Sequence, residues 1–592
     1  MTTTTAARGG AWLIEDAPAD SIFTPEKLSD EHRLISQTAD EFMTNEVQPA
    51  IERLEQKDWA LARQLVRRAG ELGLLGTDVP EAFGGVGLDK VASILVGEAA
   101  GRAASFATTF GAQTGLAITP LLCFGTDAQK AQYLPRLVSG EMVGAYALSE
   151  SGSGSDALGA KARAIRQPDG SFRLSGEKMW ITNGGFADLF IVFAKVASDA
   201  GEGAFTAFLV ERTFAGVSSG KEEHKMGLHG SSTTPLILQD AQVPAANVLG
   251  EIGKGHKVAF NVLNYGRFKL AAMCSGGARA IVGNAAAYAV QRKQFGQPIA
   301  SFGAIKHKLA EIAIREFAVE SMLYRTAGLI DSAIDAEGPA GSSGHGVLAA
   351  LEEFAIEASI LKVAGSEMID YAVDENVQIH GGNGFVRDYP AERMYRDARV
   401  NRIFEGTNEI NRLLIPGMLI RRALKGSLPL IPAARKLQDE ILTPAFPEPP
   451  SDEPLDNERR TVAAMKKVGL MVLGTAMQTY GDKLTDQQEV LTLAADVLID
   501  VFAAESVLLR ASQGVRPQSE LKTAAAEVYI TDAAARVEVA ARSALAAMAD
   551  GDALRTLLAA LRRVLKTTPV NTVARRRQIA DAIVERKAYP YA

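Results

Sequence analysis

The feature that most constrains this chain is its hydrophobic period, which changes twice and is then interrupted by proline. From residue 24 to 145 apolar positions recur at helical spacing, as at Leu65, Ala69, Leu72 and Leu75. Between 146 and 255 the pattern becomes short β-rich runs, Leu189 to Val196, Phe205 to Val210 and Thr234 to Val243, set off by Gly, Asp and Asn. Helical spacing returns over 256–425, with Leu351, Phe354, Ala355, Ala358 and Leu361 on one face. Proline cannot sustain a helix interior, so the proline-dense stretch 426–457 reads as a linker. An Ala- and Leu-rich helical extension fills 458–592. The fold class expected is mainly α with a central β domain, in the order α, β, α, linker, α.

Composition removes several alternatives. At 592 residues the chain is long enough for three or four structural units. A formal charge of −7 offers no general basic field for nucleic acid. Cys123 and Cys274 stand apart in apolar or small-residue surroundings, so neither a disulfide framework nor a metal site is expected. The longest apolar run, Val468 to Met477, is too short to span a bilayer, and the first twenty residues lack a charged segment followed by an apolar one. The expectation is a cytoplasmic protein of bacterial type, or a matrix or inner-membrane-surface protein of mitochondria in a eukaryote. Phosphate-binding glycine loops and the HExxH zinc motif are missing, and GVSSG at 216–220 lacks the apolar helix that a nucleophile elbow requires.

Four segments concentrate polar, glycine and aromatic residues where a plain core would not. YALSESGSGSD, Tyr146 to Asp156, exposes backbone N–H groups and hydroxyls suited to an anionic or heteroaromatic ligand. KMWITNGG, Lys178 to Gly185, offers Trp180 to cover a planar ring and Thr182 to bond it. RKQFG, Arg292 to Gly296, pairs an arginine fit for phosphate with an aromatic. QIHGGNGF, Gln378 to Phe385, precedes RIFEGTNEINR, where Glu405 is an acid in apolar company whose pKa desolvation would raise toward working pH.

Taken in order, with NYGRF at 264–268 and RKQFGQPI, these segments resemble the acyl-CoA dehydrogenase family over residues 30 to 425. The extension is similar to that of the very-long-chain branch. The resemblance implies a helical domain, a β-barrel, a four-helix bundle and a C-terminal helical domain. It further implies noncovalent FAD, with α,β-dehydrogenation of a long-chain acyl-CoA to the trans-2-enoyl-CoA in fatty acid β-oxidation. The position matching the family base is Glu405, which takes the α-proton while the β-hydrogen leaves toward the flavin. The Glu405 N–H and a flavin ribityl hydroxyl hold the thioester oxygen.

The matching positions for FAD are Tyr146, Leu148, Ser149 and Ser155, then Trp180, Ile181 and Thr182. Arg292, Gln294, Phe295, Phe302, Gln378 and Gly382 match positions that reach FAD across a subunit interface, implying a homodimer. Thr407 and Glu409 match the dinucleotide end, with an acid at Glu409 where many members carry Gln. For substrate the matches are Ser155, Asn264, Tyr265, Gly266, Arg267, Phe404 and Gly406, and the small residues of GAQTGLA, 111–117, favour a long acyl chain. Electron-transfer flavoprotein is the implied acceptor. An oxygen-using acyl-CoA oxidase and a noncatalytic assembly or nucleic-acid-binding relative are the alternatives. In the extension, Leu554, Leu557, Leu558, Leu561, Val564 and Leu565 form an apolar face flanked by arginines, which suits either an anionic membrane or packing on its own domain.

Overall fold

The computed structural model describes residues 7–591 apart from 199–200, 339–340, 342, 443–450, 452 and 514–518. The N-terminal unit is helical. Helix Asp30–Phe42 starts at a Ser29 capping box, and Lys90–Ala100 is buried on every side between that helix and the bundle. Its last part contains a π-helical stretch, Ala112–Ile118, within the small-residue segment singled out above. Such stretches are uncommon and cluster at functional sites.

The central unit is one sheet. Its strands are β1 (Gly144–Ala147), β2 (Arg163–Arg166), β3 (Phe172–Thr182), β4 (Leu189–Ser198), β5 (Gly201–Glu211), β6 (Val217–Ser219), β7 (Thr233–Val243) and β8 (Val248–Leu249). The order is β6-β7-β3-β2-β4-β5-β8, with β1 on the edge of β4 beyond β2. The expected barrel is therefore not closed: β6 and β8 end the path and do not pair with each other. The cause is length. Three- and two-residue end strands offer too few ladder positions to meet, whereas the long antiparallel pairs β3/β7 and β4/β5 carry the unit.

A bundle of four long helices follows: Gly255–Gln291, Gly303–Ala336, Ala355–His380 and Asn408–Leu424. The face Leu351 to Leu361 is buried as read, although a break at Phe354 splits it between helices Gly344–Glu353 and Ala355–His380. The stretch 426–457 is not all linker, because Leu430–Leu442 is a helix. Pro432 sits in its first turn, where no intrahelical N–H is needed, and Leu430 and Leu437 are buried. Residues 443–450 and 452 of that stretch lie outside the described residues.

Five helices form the extension: Asp456–Tyr480, Gln488–Ala511, Ser519–Met548, Gly551–Val564 and Thr572–Arg586. They pack on Gly303–Ala336 and Asn408–Leu424. The apolar face of Gly551–Val564 is turned inward. Leu561 and Leu565 are buried, and Leu554, Leu557, Leu558 and Val564 pack against the same core, so this face is not left over for a membrane. Among the described residues no helix is long and apolar enough to cross one.

The first twenty residues were read only for targeting signals, yet they and the start of the helical unit stitch the extension to the bundle. Trp12 is buried against Phe502, and its Nε1 donates to Glu357 Oε1 at 2.9 Å. Glu26 accepts from the fully buried Arg510, which also donates to Glu320 at 2.6 Å. Lys466 reaches Asp16 and Glu505, and Glu505 is paired in turn with Arg325 of the bundle.

Candidate active site

The bundle's first helix presents Gly266, Lys269, Leu270, Met273, Gly277 and Ile281 along one stripe to a long apolar cavity. The π-helical stretch contributes Ala112, Gly115 and Leu116 to its wall, and the sheet contributes Thr182. Phe404 and Glu405 stand at one part of this wall.

Glu405 lies in the loop before helix Asn408–Leu424 and has φ 58°, a left-handed conformation that is unfavourable for a residue with a side chain. Its surroundings impose that geometry. The Glu405 carbonyl accepts from Arg267 Nε at 3.1 Å, and Asn411 Nδ2 donates to the Gly406 carbonyl at 2.8 Å and the Thr407 carbonyl at 3.0 Å. Thr407 caps the helix, its hydroxyl accepting from Ile410 N at 3.3 Å. Gly406 follows at φ 78°, and Arg267 is held in turn by Asn264 at 3.0 Å.

Gly266 supplies the room for the acid. A Cβ there would lie 2.6 Å from Glu405 Oε2. That oxygen is buried, and among the described residues it has no hydrogen-bond partner and no backbone group accepts from the Glu405 N–H. Burial pushes the carboxyl up to about 7, against the opposing pull of Arg267 and Lys362. A carboxylate with one bare oxygen in an apolar cavity, close to neutral in its affinity for protons, suits a general base.

Beside it, the pairing of β3 with β7 shifts register between Lys178 and Ile181. Trp180 sits in that bulge at φ 59° and is 55% exposed, while its neighbour Ile181 is buried. The bulge thus turns one aromatic outward and directs Thr182 to the cavity. Tyr146 is close enough to Glu405 for that charge to help raise its phenol, burial being the larger cause. Leu148 is buried, Ser149 half-buried and Ser155 exposed, with open space around Gly152 and Gly154. Tyr146, Phe404, Gly406, Gly266 and Arg267 are therefore gathered near Glu405, and Thr182 shares its cavity, whereas Trp180 faces outward from the bulge and is not part of the cavity wall. Glu409 is exposed and Thr407 serves as the helix cap.

Tyr265 belongs elsewhere. Its hydroxyl bonds Asp78 and Ser93 in a buried cluster with Lys90 and Lys269, so it packs behind the cavity wall and does not line it. The helical period explains this, since Tyr265 is rotated by about 100° from Gly266. Lys362 and Asn408 carried no signal in the sequence. Lys362 is buried and donates to Asn408 Oδ1 at 2.6 Å, two hydrophilic residues inside an apolar helix pair.

Arg292, Gln294 and Phe295 form a second group at the hairpin Lys293–Pro298 after the first bundle helix, with Phe302, just before the next helix, packed edge-on against Phe295. Phe295, at φ 52°, is 93% exposed. The end of helix Ala355–His380, with Gln378, and the turn after it, with Gly382, lie near this group, since Tyr288, one helical turn before Arg292, donates to the His380 carbonyl and accepts from Asn383. Tyr288 lies 22 residues beyond Gly266 on one helix, which is about 33 Å at 1.5 Å per residue. Within one chain the two groups do not meet. Cys123 and Cys274 are free and buried, and among the described residues no cluster of His, Cys, Asp or Glu could hold a metal ion.

Comparison with known proteins shows the family of the chain. The N-terminal domain of acyl-CoA dehydrogenases matches residues 29–141, the middle domain 145–241 and the C-terminal domain 253–419. A "Probable acyl-CoA dehydrogenase" of Bacillus subtilis (strain 168) is 46% identical over 590 residues, 98% of each chain. The chain belongs to the acyl-CoA dehydrogenase family. A further C-terminal domain described for acyl-CoA dehydrogenases matches residues 464–563, inside the extension. An acyl-CoA dehydrogenase from Bacillus anthracis, solved in complex with FAD, superposes with a TM-score of 0.96 at 48% identity over 99% of this chain and 100% of that one. The rat mitochondrial very long-chain specific acyl-CoA dehydrogenase is 42% identical over 352 residues, which is 58% of this chain and 51% of that protein. Within the acyl-CoA dehydrogenase family, then, this chain is an oxidoreductase that matches all three domains of the body and carries an extension.

Proposed function

We propose that the protein dehydrogenates long-chain acyl-CoA thioesters to trans-2-enoyl-CoA, with Glu405 as the base and FAD as the cofactor. The observation that carries the reading is the bare Glu405 Oε2 in the space left by Gly266. Thr182 on the cavity wall, the outward-turned Trp180 two residues before it and the open glycine backbone at Gly152 and Gly154 support a planar flavin at this end of the sheet. FAD, when bound, supplies the acceptor for the β-hydrogen and its electron pair.

The chain's own groups deal with the proton. Glu405 takes the α-proton onto the free oxygen, and its N–H is available to the thioester oxygen as negative charge develops there. Arg267 and Asn411 hold the strained loop so that both groups stay aimed at one place. The apolar walls exclude water, which strengthens each of these interactions.

Chain length follows from the stripe on the first bundle helix. Gly266 to Ile281 spans about 22 Å. An extended chain advances about 1.2 Å per bond, as a stretched backbone does at ~3.6 Å per three bonds. The stripe therefore matches roughly sixteen to eighteen bonds of an acyl tail. The distance between the two residue groups supports a homodimer in which Arg292, Phe295 and Gln378 complete the partner's flavin site. Electron-transfer flavoprotein as acceptor, and a place in fatty acid β-oxidation, rest on the family resemblance.

The test is anaerobic mixing of FAD-loaded protein with palmitoyl-CoA. The visible flavin band should bleach in the wild type and should persist in Glu405→Gln with FAD still bound. Bleaching of that variant at the wild-type rate would remove Glu405 from its role. Peroxide formed in air as fast as an electron-transfer flavoprotein is reduced would make the protein an oxidase.

A further inference from the structure

The loop that carries Glu405 is tied to the C-terminal extension by an unbroken chain of polar contacts. Asn408, the first residue of helix Asn408–Leu424, is buried; its Oδ1 accepts from Lys362, and its Nδ2 donates to Glu367 Oε1 at 3.0 Å. Glu367 receives both terminal nitrogens of Arg412, at 2.6 and 2.9 Å. Arg412 Nε donates at 2.8 Å to Asp496, which stands on the extension helix Gln488–Ala511. The guanidinium is thus forked onto one carboxylate and braced from its third side by another, a planar arrangement that fixes orientation as well as position.

Arg412 is four residues beyond Asn408 on the same helix, so whatever fixes Arg412 fixes the N-terminal turn from which the Glu405 loop departs. Without Asp496 the Arg412–Glu367 fork could pivot about its one remaining partner. The strained φ at Glu405 persists only while its surroundings over-determine it. We propose that Asp496 of the extension is a positioning residue for Glu405, acting through Arg412, Glu367 and Asn408. The inference rests on the reading of Glu405 as the base. It gives the extension a part in the chemistry of the first three domains, in addition to covering them.

The experiment compares Asp496→Ala, Asp496→Asn and a control, Arg576→Ala, in the FAD-loaded full chain. Arg576 joins the extension to the bundle through Glu311 at 2.8 Å but lies outside the Asp496 chain, so it reports general loosening of the interface. Asp496→Ala should lower kcat and the single-turnover bleaching rate about tenfold, with KM for palmitoyl-CoA within twofold. Asp496→Asn, which keeps an acceptor for Arg412 Nε, should recover most of that rate, and Arg576→Ala should keep the wild-type rate. Bleaching by Asp496→Ala at the wild-type rate overturns the proposal, as does an equal loss in Arg576→Ala. Glu405→Gln in the same series separates the two claims, because full bleaching there defeats the reading of the base itself.

Discussion

At the scale of the residue, Glu405 joins three conditions that are individually unfavourable: positive φ, burial and an oxygen without a donor. Together they predict a pH profile. With the carboxyl at about 7, the ionised base is lost on acidification, so kcat/KM should be about tenfold below its plateau at pH 6 and flat above pH 8. Stability carries the opposite sign. The folded protein holds this proton more tightly than the unfolded chain, so the contribution is present below pH 4.5 and lost as pH rises through 7. Glu405→Gln should thus unfold at higher denaturant than wild type at pH 8, by up to about 3 kcal/mol, with the gap closing by pH 4.5. Urea titrations of both proteins at the two pH values check this.

Glu405 stood out in the sequence as an acid between Phe404 and Gly406, but its reading as the base came from the family motif around it and not from that anomaly alone. Tyr265 was misplaced because a motif read as a string does not say which of two adjacent helical positions faces the ligand. Lys362 and Asn408 were invisible, since their pairing depends on how two helices pack and each alone resembles a surface residue.

At the scale of the element, β4, β5 and β7 were readable as short β-rich runs and the long bundle helices from their period, whereas β3 was not singled out as one. Closure of the sheet was not, because it depends on whether short end strands meet. Helix Leu430–Leu442 was hidden by its flanking prolines, which mark boundaries and say little about the residues between. The segment before residue 30 was hidden for another reason: its partners are hundreds of residues away. Trp12→Ala removes a buried indole and one of the two donors to Glu357 Oε1, so it should lower stability by about 3–5 kcal/mol. Chemical denaturation measures the loss, and the flavin of the folded fraction should still bleach with palmitoyl-CoA.

At the scale of the whole molecule, the rise of about 33 Å from Gly266, beside Glu405, to Tyr288, near the Phe295 hairpin, makes a complementation experiment decisive. One chain carries Glu405→Gln; the other carries Arg292→Ala with Phe295→Ala. Each homodimer should be inactive or weakly flavinated. In the mixed dimer one site receives Glu405 from one chain and an intact hairpin from the other, and should recover up to about half of a wild-type dimer's sites. Absence of recovery in a verified heterodimer would place both groups in the service of the same chain's site.

The stitching of the N-terminal segment also imposes an order on synthesis. Asp16 pairs with Lys466 across 450 positions, and Glu26 with Arg510 across 484. At the ribosome's ~5–20 residues per second, Glu26 waits about half a minute to a minute and a half for its partner to be made. During that interval the dehydrogenase body can assemble around its own core, while Trp12 has Glu357 within reach but not Phe502. Residues 466–510 therefore decide when residues 12–26 find their final place.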